Sequence, residues 1–298
     1  MKVSHLLRLY EQGYRDFSGV DLKGADLSRV TLISVNLTRA NLMGANLSRA
    51  FLTKSNLSGA ILNWANLSFV KISEGRLIET DLTKANLAGA FMVKSELTRA
   101  KLSGANLSDT NLRAANLSGA NLSGAYLRKI NLREANLSKV NLDWANLYEA
   151  RLSGAKLYGA SFNGTNLSQT FLKEVDLSGA NLERVNLRKA RLDGSSLKGT
   201  NLVGANLSEA HLRRVDLTGA DLRGANLSEA LLDDANLTDA ILSRAEYAGG
   251  NNLDLVKSEA IRDRKIALTT KSDAAQLSGA IEDRANNSFF IQPGLVTG

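Results

Sequence analysis

The chain has no cysteine, a single proline (Pro293) in 298 residues, and only 5% aromatic residues. Without cysteine there are no disulfides and no thiolate metal sites, which suits a reducing compartment. With so few rings, the core has to be built from small and medium side chains. No stretch approaches the roughly 18 consecutive apolar residues of a membrane span, and the N-terminal MKVSHLLRLYEQGYR is too short and broken for a secretory signal. These absences lead us to expect a cytoplasmic protein with no membrane contact.

Charge of one sign is also lacking. The net charge is +7. Residues 1–14 contribute +1 and residues 248–298 contribute 0, which leaves +6 spread over 233 residues carrying 29 basic and 23 acidic side chains. That is a mixed surface with a mild basic bias.

What the sequence has instead is a period of five. In ANLSGANLSGAYL the leucines are Leu117, Leu122 and Leu127. Five fits neither regular element: an α-helix would turn each leucine by about 140° from the last, and a strand would flip it to the other face. The step nevertheless runs from Phe17 to Tyr247 without a slip, through 47 units whose centres are Leu except at Phe17, Ile72, Met92, Phe162 and Tyr247. Two residues before each centre stands a small residue, mostly Ala, as at Ala25, Ala45, Ala65 and Ala105. Centre and small residue lie two apart, so in a short strand both point inward. Gly is frequent two residues after the centre, where a type II turn needs a positive φ. Each unit therefore reads as a very short strand followed by a corner.

The number of units per coil follows from the residues that precede the centres. Sorted at intervals of twenty they separate into distinct series. One is almost wholly asparagine (Asn46, Asn66, Asn86, Asn106, Asn146, Asn166), and another reads Thr31, Phe51, Lys71, Phe91, Asn111, Asn131, Arg151, Phe171, Arg191, His211, Leu231. Four units of five close one turn, so the rod has about 11 to 12 coils and, at about 4.8 Å per rung, is roughly 55 Å long.

Units such as ANLSGANLSGAYL and ADLRGANLSEALL resemble the A(D/N)LXX units of the pentapeptide-repeat family, and of its cyanobacterial members in particular. The resemblance covers residues 15–247 and implies an all-β right-handed quadrilateral β-helix of four repeats per coil. Open rod ends need covering. Residues 4–13 read as a short amphipathic helix, with Leu6, Leu7, Leu9 and Tyr10 available as an N-terminal helical cap within residues 1–14. Residues 248–285 read as a helical C-terminal cap or association segment, with helices over 253–268 and 272–285 and Ser272 as an N-cap. Leu253, Val256, Ile261, Leu277 and Ile281 would supply a self-association patch, and residues 286–298 are expected to be a flexible tail.

Catalytic chemistry has little to stand on. His5 and His211 lie on different elements, and no phosphate-cradling glycine loop precedes a helix. Asp233 and Asp234 are adjacent and diverge; Asp81, Asp176 and Asp216 stand where Asn serves equally well. No cofactor and no metal is expected. The informative face is the one poorest in asparagine, where Phe51, Phe91 and Phe171 project outward beside Lys71, Arg151, Arg191, His211 and Arg213, with Lys94, Arg113, Arg133, Lys173 and Arg214 close by. Arg151, Phe171 and Arg191 on successive rungs have the spacing for cation–π stacking. A solvated charged face gives the same pattern. Trp64 and Trp144 share one edge four rungs apart, and either offers a second contact edge or folds back over a neighbouring rung.

The leading expectation is a non-enzymatic scaffold that binds a protein partner through that face. Nucleic-acid binding by the basic stripe is opposed by the interleaved Glu74, Glu134, Glu174, Asp193 and Asp233. The resemblance also raises DNA mimicry, since some family members protect DNA gyrase with a rod as acidic as duplex DNA, but this rod has the opposite sign. A partnerless spacer is the remaining reading.

Overall fold

The computed structural model describes residues 1–248. The helices expected after Ala248, the association patch and the tail at 286–298 lie outside the described residues.

The period of five is resolved by a corner after every centre. At Leu137 the backbone N–H donates to the carbonyl of Lys156, 2.8 Å away in the next coil, while the Asn136 N–H donates to Ala115 of the previous coil at 2.9 Å. The resulting parallel bridges, Asn116 to Asn136 and Asn136 to Lys156, repeat at an offset of twenty residues, so four units make one turn of a four-sided coil. The corner is closed by the Val140 N–H donating to Leu137 at 3.2 Å, with Lys139 at φ 58°. A left-handed residue in that place is what a type II turn requires. All 46 corner positions from Gly19 to Arg244 have positive φ, and 29 of them are not glycine. Each non-glycine corner costs on the order of 1–2 kcal/mol, which the ladder bonds on either side of it offset.

We number the faces by the residue that bridges them: face I from Asp16, face II from Asp21, face III from Asp26 and face IV from Thr31, each continuing every twentieth residue. The centres and the small residues two before them form one continuous buried stack along the axis. Where the small residue is Ser or Thr, its hydroxyl is satisfied inside. Thr80 and Thr110 donate to the carbonyls of Leu57 and Leu87 at 2.8 Å. Ser55 props a corner open, accepting from the Val35 N–H at 3.2 Å and donating to Leu32 at 2.9 Å. On face III the asparagines run as a side-chain ladder. Asn66 Nδ2 donates to Asn46 Oδ1 at 3.2 Å, and each Oδ1 also accepts a backbone N–H two residues on, as from Ser48 at 3.1 Å.

A nine-residue helix, α1 (Val3–Glu11), precedes the rod and ends slightly before the expected Gly13. Its termination has a clear cause. Gly13 at φ 94° lets its N–H reach Tyr10 and the Tyr14 N–H reach Leu9, both at 3.0 Å, which is a Schellman closure. Leu6 is fully buried, and Leu7, Leu9 and Tyr10 pack against the same core. The Arg15 guanidinium donates to the carbonyls of Tyr10 and Tyr14, both at 2.8 Å, and lies over the Tyr10 ring.

The ladder is interrupted at one junction where the unbroken sequence pattern predicts none. Between residues 154–164 and 173–183, on faces I and II, the repeat calls for bonds from the N–H groups of Leu157, Gly159 and Phe162 to Asp176, Ser178 and Asn181. It also calls for bonds from the Asp176 and Asn181 N–H groups back to Ala155 and Ala160. Among the described residues none of these groups has a backbone partner, and the Lys156–Asp176 and Ser161–Asn181 bridges are missing. Faces III and IV stay closed there, with Leu152 donating to Phe171 and Leu167 to Asn186 at 2.8 Å. The rod thus opens as a wedge. The coil below it carries Phe162, 1% exposed, where the repeat has leucine.

Candidate functional site

Face IV is where the outer surface departs from the asparagine pattern. Its outward residues stand on consecutive rungs, held by parallel bridges from Phe51 through Lys71 to Phe91 and from Arg151 through Phe171 and Arg191 to His211. Phe51 and Phe91 are 39% and 45% exposed, whereas Phe171 is half-buried. The reason is visible in the stack: Arg191 Cζ lies 4.8 Å from the Phe171 ring centre, and Lys71 Nζ lies 4.7 Å from that of Phe51. Of the cation–π stacking that the spacing of Arg151, Phe171 and Arg191 permits, the Arg191 contact forms. Arg151 stands on the neighbouring rung without stacking, and Lys71 turns to Phe51 rather than Phe91, leaving that ring open.

Part of the charge on and beside this face is paired. Arg113 meets Glu134 at 3.0 Å, Arg213 meets Asp233 at 3.0 Å, and Lys173 meets Glu174 at 3.3 Å. On the adjoining corner Lys129 meets Glu149 at 3.5 Å and Lys189 meets Glu209 at 3.0 Å. Hydrogen bonds from Arg188 and Lys189 hold the Glu209 carboxyl below its ordinary range. Among the described residues, Arg133, Arg151 and Arg191 on this face make no ion pair. A trough of about 820 Å³ runs between the corner and the face, floored by Asn111, Asn131, Arg151, Phe171, Arg191 and His211.

Reading the bridge positions alone misses one contributor. Phe69, 55% exposed, sits on the corner between faces III and IV, and Arg49 lies 5.5 Å from its ring centre. With Arg29, Phe51 and Lys71 it lines a second trough of about 440 Å³ on the same side of the rod. Sorting the corner residues at intervals of twenty, as was done for the bridge positions, would have shown it. The edge bearing Trp64 and Trp144 lies elsewhere, between faces II and III. Both tryptophans are strongly exposed, at φ 63° and 62°. Each also turns along the rod: Lys84 Nζ sits 4.5 Å from the Trp64 ring centre, and the Trp144 ring covers Gly164 so closely that a Cβ there would fall 2.4 Å from a ring carbon. No group of three or more potential metal-ligating side chains occurs among the described residues. No described helix is long and apolar enough to cross a membrane.

Comparison with known sequences matches the chain to the family described as Pentapeptide repeats, in eight copies that run from residue 16 to residue 246. No curated protein matches. Among solved structures the chain is similar to HetL, a pentapeptide repeat protein involved in heterocyst differentiation regulation from the cyanobacterium Nostoc sp. strain PCC 7120. The identity is 33% over 84% of this chain and 99% of that one, with a TM-score of 0.48. It is also similar to Rfr23 from the cyanobacterium Cyanothece 51142, at 28% identity over 44% of this chain and 86% of that one, TM-score 0.24. A trypsin-treated form of QnrB1, a plasmid-mediated fluoroquinolone resistance protein, aligns at 16% identity over 81% of this chain and 100% of that one, TM-score 0.32.

Proposed function

Because the chain belongs to the pentapeptide-repeat family, whose members fold as right-handed quadrilateral β-helices and serve as scaffolds rather than enzymes, we propose that it is a rigid rod that binds a protein partner through face IV. The observation that carries this reading is the replacement, on one face, of the self-satisfying asparagine ladder by exposed rings beside arginines. On face III the side chains from Asp26 to Asn106, and Asn146 with Asn166, are bonded rung to rung, and every Asn Oδ1 accepts a backbone N–H two residues on. On face IV, Phe51, Phe69 and Phe91 offer apolar area that water covers at a cost, and Arg151 and Arg191 offer guanidinium donors that no carboxylate among the described residues occupies. Aromatic and arginine side chains are the residue types that dominate protein interfaces.

The rod geometry favours such use. Its strands are pinned on both sides by ladder bonds, so the face is organised before binding and little conformational entropy is lost on contact. The unpaired arginines favour a partner with carboxylates at its rim. Nucleic-acid binding draws support from the sequence pI of about 9.6, yet carboxylates are interleaved along the face and engage Arg113, Lys173 and Arg213. A gyrase-protecting DNA mimic would need the opposite charge.

The test is capture from native lysate with the wild-type rod, a Phe91→Ala/Phe171→Ala/Arg191→Ala triple variant and a face III control, Asn106→Ala/Asn166→Ala/Asn206→Ala, all checked by circular dichroism. A protein retained by wild type and control and lost from the triple variant is the expected result. Material held equally by all three, or nucleic acid released steeply by salt, contradicts it.

A further inference from the structure

Face IV and its corner carry two troughs whose charges differ. The larger has carboxylates of its own, Asp109, Glu149 and Glu209, set among its cations. The smaller, about 440 Å³, is lined by Arg29, Arg49, Phe51, Phe69 and Lys71, with no carboxylate. Its walls are fixed by the ladder. Arg29, Arg49 and Phe69 share one corner on successive rungs, where the Arg29 N–H donates to the carbonyl of Ser48 at 2.9 Å and the Arg49 N–H to that of Ser68 at 2.8 Å. Phe51 and Lys71 stand beside them on bridged rungs of face IV. The Arg29 and Arg49 side chains therefore leave the backbone about 4.8 Å apart.

Like charges at that spacing repel unless an anion lies with them. Among the described residues, Arg29, Arg49 and Lys71 make no ion pair. The carboxylates three residues along the chain from Arg29 and Lys71 are engaged elsewhere. Asp26 accepts from the Ser28 N–H at 3.0 Å and from Asn46 Nδ2 at 3.1 Å, and Glu74 meets Lys54 at 3.9 Å. Arg49 and Lys71 lie on rings instead, 5.5 Å and 4.7 Å from the ring centres of Phe69 and Phe51. A ring attracts a cation without neutralising it, so both can still take a carboxylate.

Given that face IV is the binding face, a reading on which this rests, we propose that the smaller trough takes an acidic peptide segment of the partner protein. Its carboxylates lie on Arg29 and Arg49, and an aliphatic or aromatic side chain lies against Phe51 and Phe69. Each half of the site selects one feature. Guanidinium forks match carboxylates two bonds at a time, and rings that are 39% and 55% exposed gain from apolar cover. Length is selected too. Arg29 to Phe69 covers two rung spacings, about 10 Å, or roughly three extended residues. A phosphate backbone running on along the same corner would meet Asp109, Glu149 and Glu209, whereas a short peptide ends before them.

Titration calorimetry of the full-length chain with a blocked hexapeptide, Glu-Glu-Leu-Glu-Glu-Leu, tests this. Two control peptides carry glutamine for glutamate or serine for leucine, changes that put no strain on the rod. The protein variants are Arg29→Gln/Arg49→Gln, in the trough, and Phe91→Ala/Phe171→Ala/Arg191→Ala, outside it, both checked by circular dichroism. The acidic peptide should bind wild type and the triple variant alike. Binding should be at least about tenfold weaker to the arginine variant, and equally weakened for either control peptide on wild type. Failure of the acidic peptide to bind wild type, equal binding to the arginine variant, or equal binding of a control peptide overturns the proposal. None of these results touches the wider reading of face IV, whose capture test turns on Phe91, Phe171 and Arg191. Displacement of the peptide by duplex DNA, with a steep dependence on salt, would assign the trough to nucleic acid and overturn it as well. So would sedimentation showing a dimer of the wild type that Arg29→Gln/Arg49→Gln dissociates, since the occupant would then be a second copy.

Discussion

Replacing Leu137 with alanine removes a fully buried centre from the middle of the rod, with Leu117 and Leu157 stacked one rung away on either side. Three carbons leave the core. At about 0.8 kcal/mol per methylene the transfer loss is ~2.4 kcal/mol. A cavity of roughly 80 Å³ at ~24 cal/mol per Å³ adds about 2 kcal/mol if the rungs do not collapse onto it. Collapse is resisted because each rung is bonded above and below, as at Leu137 to Lys156 and Asn136 to Ala115. The expected destabilisation is therefore about 4 kcal/mol. Leu237→Ala, in the last described turn where Ala235, Ala240 and Ala245 are each 8% exposed, should cost roughly half as much. Urea denaturation followed by circular dichroism gives the difference, and hydrogen exchange locates it: in a rod with only nearest-neighbour contacts, protection should fall first on the rungs flanking residue 137. A loss below about 1 kcal/mol, or equal losses at the two sites, would refute a core that is stacked and sealed in this way.

Two further outcomes follow from individual contacts. Gly164→Ala places a Cβ against the Trp144 ring at a position with φ 62°, so the ring should leave its seat over the next rung, seen as altered tryptophan fluorescence with unchanged far-ultraviolet dichroism. The carboxyls of Asp26 and Asp216 are held below their ordinary value of 3.8, chiefly by hydrogen bonds from Ser28 and Thr218 respectively. Because the folded value is the lower one, this stability is complete above about pH 3.8 and is lost as pH falls through the folded values. Asp26→Asn/Asp216→Asn should therefore lose less stability than wild type on acidification below pH 4, as measured by thermal unfolding across that range.

Much of the rod was legible because the solenoid repeats one local rule. The inward pair, such as Ala135 and Leu137, sets the strand; Lys139 and its equivalents set the corner; the twenty-residue sorting of Asn46, Asn66 and Asn86 sets the coil. These depend on residues near one another in sequence or related by a fixed offset. What the pattern hid depends on volumes and rotamers. Phe162 satisfies the apolar rule as well as leucine does, and nothing in the period of five marks the open junction above it. Arg151 and Arg191 are equivalent in spacing to Phe171, but only Arg191 stacks on it. Phe69 stands at a corner like Trp64 and Trp144 but has no aromatic twin on its own edge to draw notice, although its ring is exposed beside Phe51 and covers Gly89. Arg113, Lys173 and Arg213 proved to be paired with the interleaved carboxylates while Arg133, Arg151 and Arg191 did not, a division periodicity alone does not show.

The central claim, that face IV is the binding face, is tested most directly by hydroxyl-radical footprinting of the rod with its captured partner, because exposed aromatic side chains report on every side. Phe51, Phe69 and Phe91 mark face IV and its corner, Tyr126 face III, Trp64 and Trp144 the edge between faces II and III, and Tyr158 face I. The account predicts that the partner protects the three phenylalanines while Tyr126, Trp144 and Tyr158 oxidise as in the free rod. Protection centred on Trp64 and Trp144, with the phenylalanines still reactive, would contradict it.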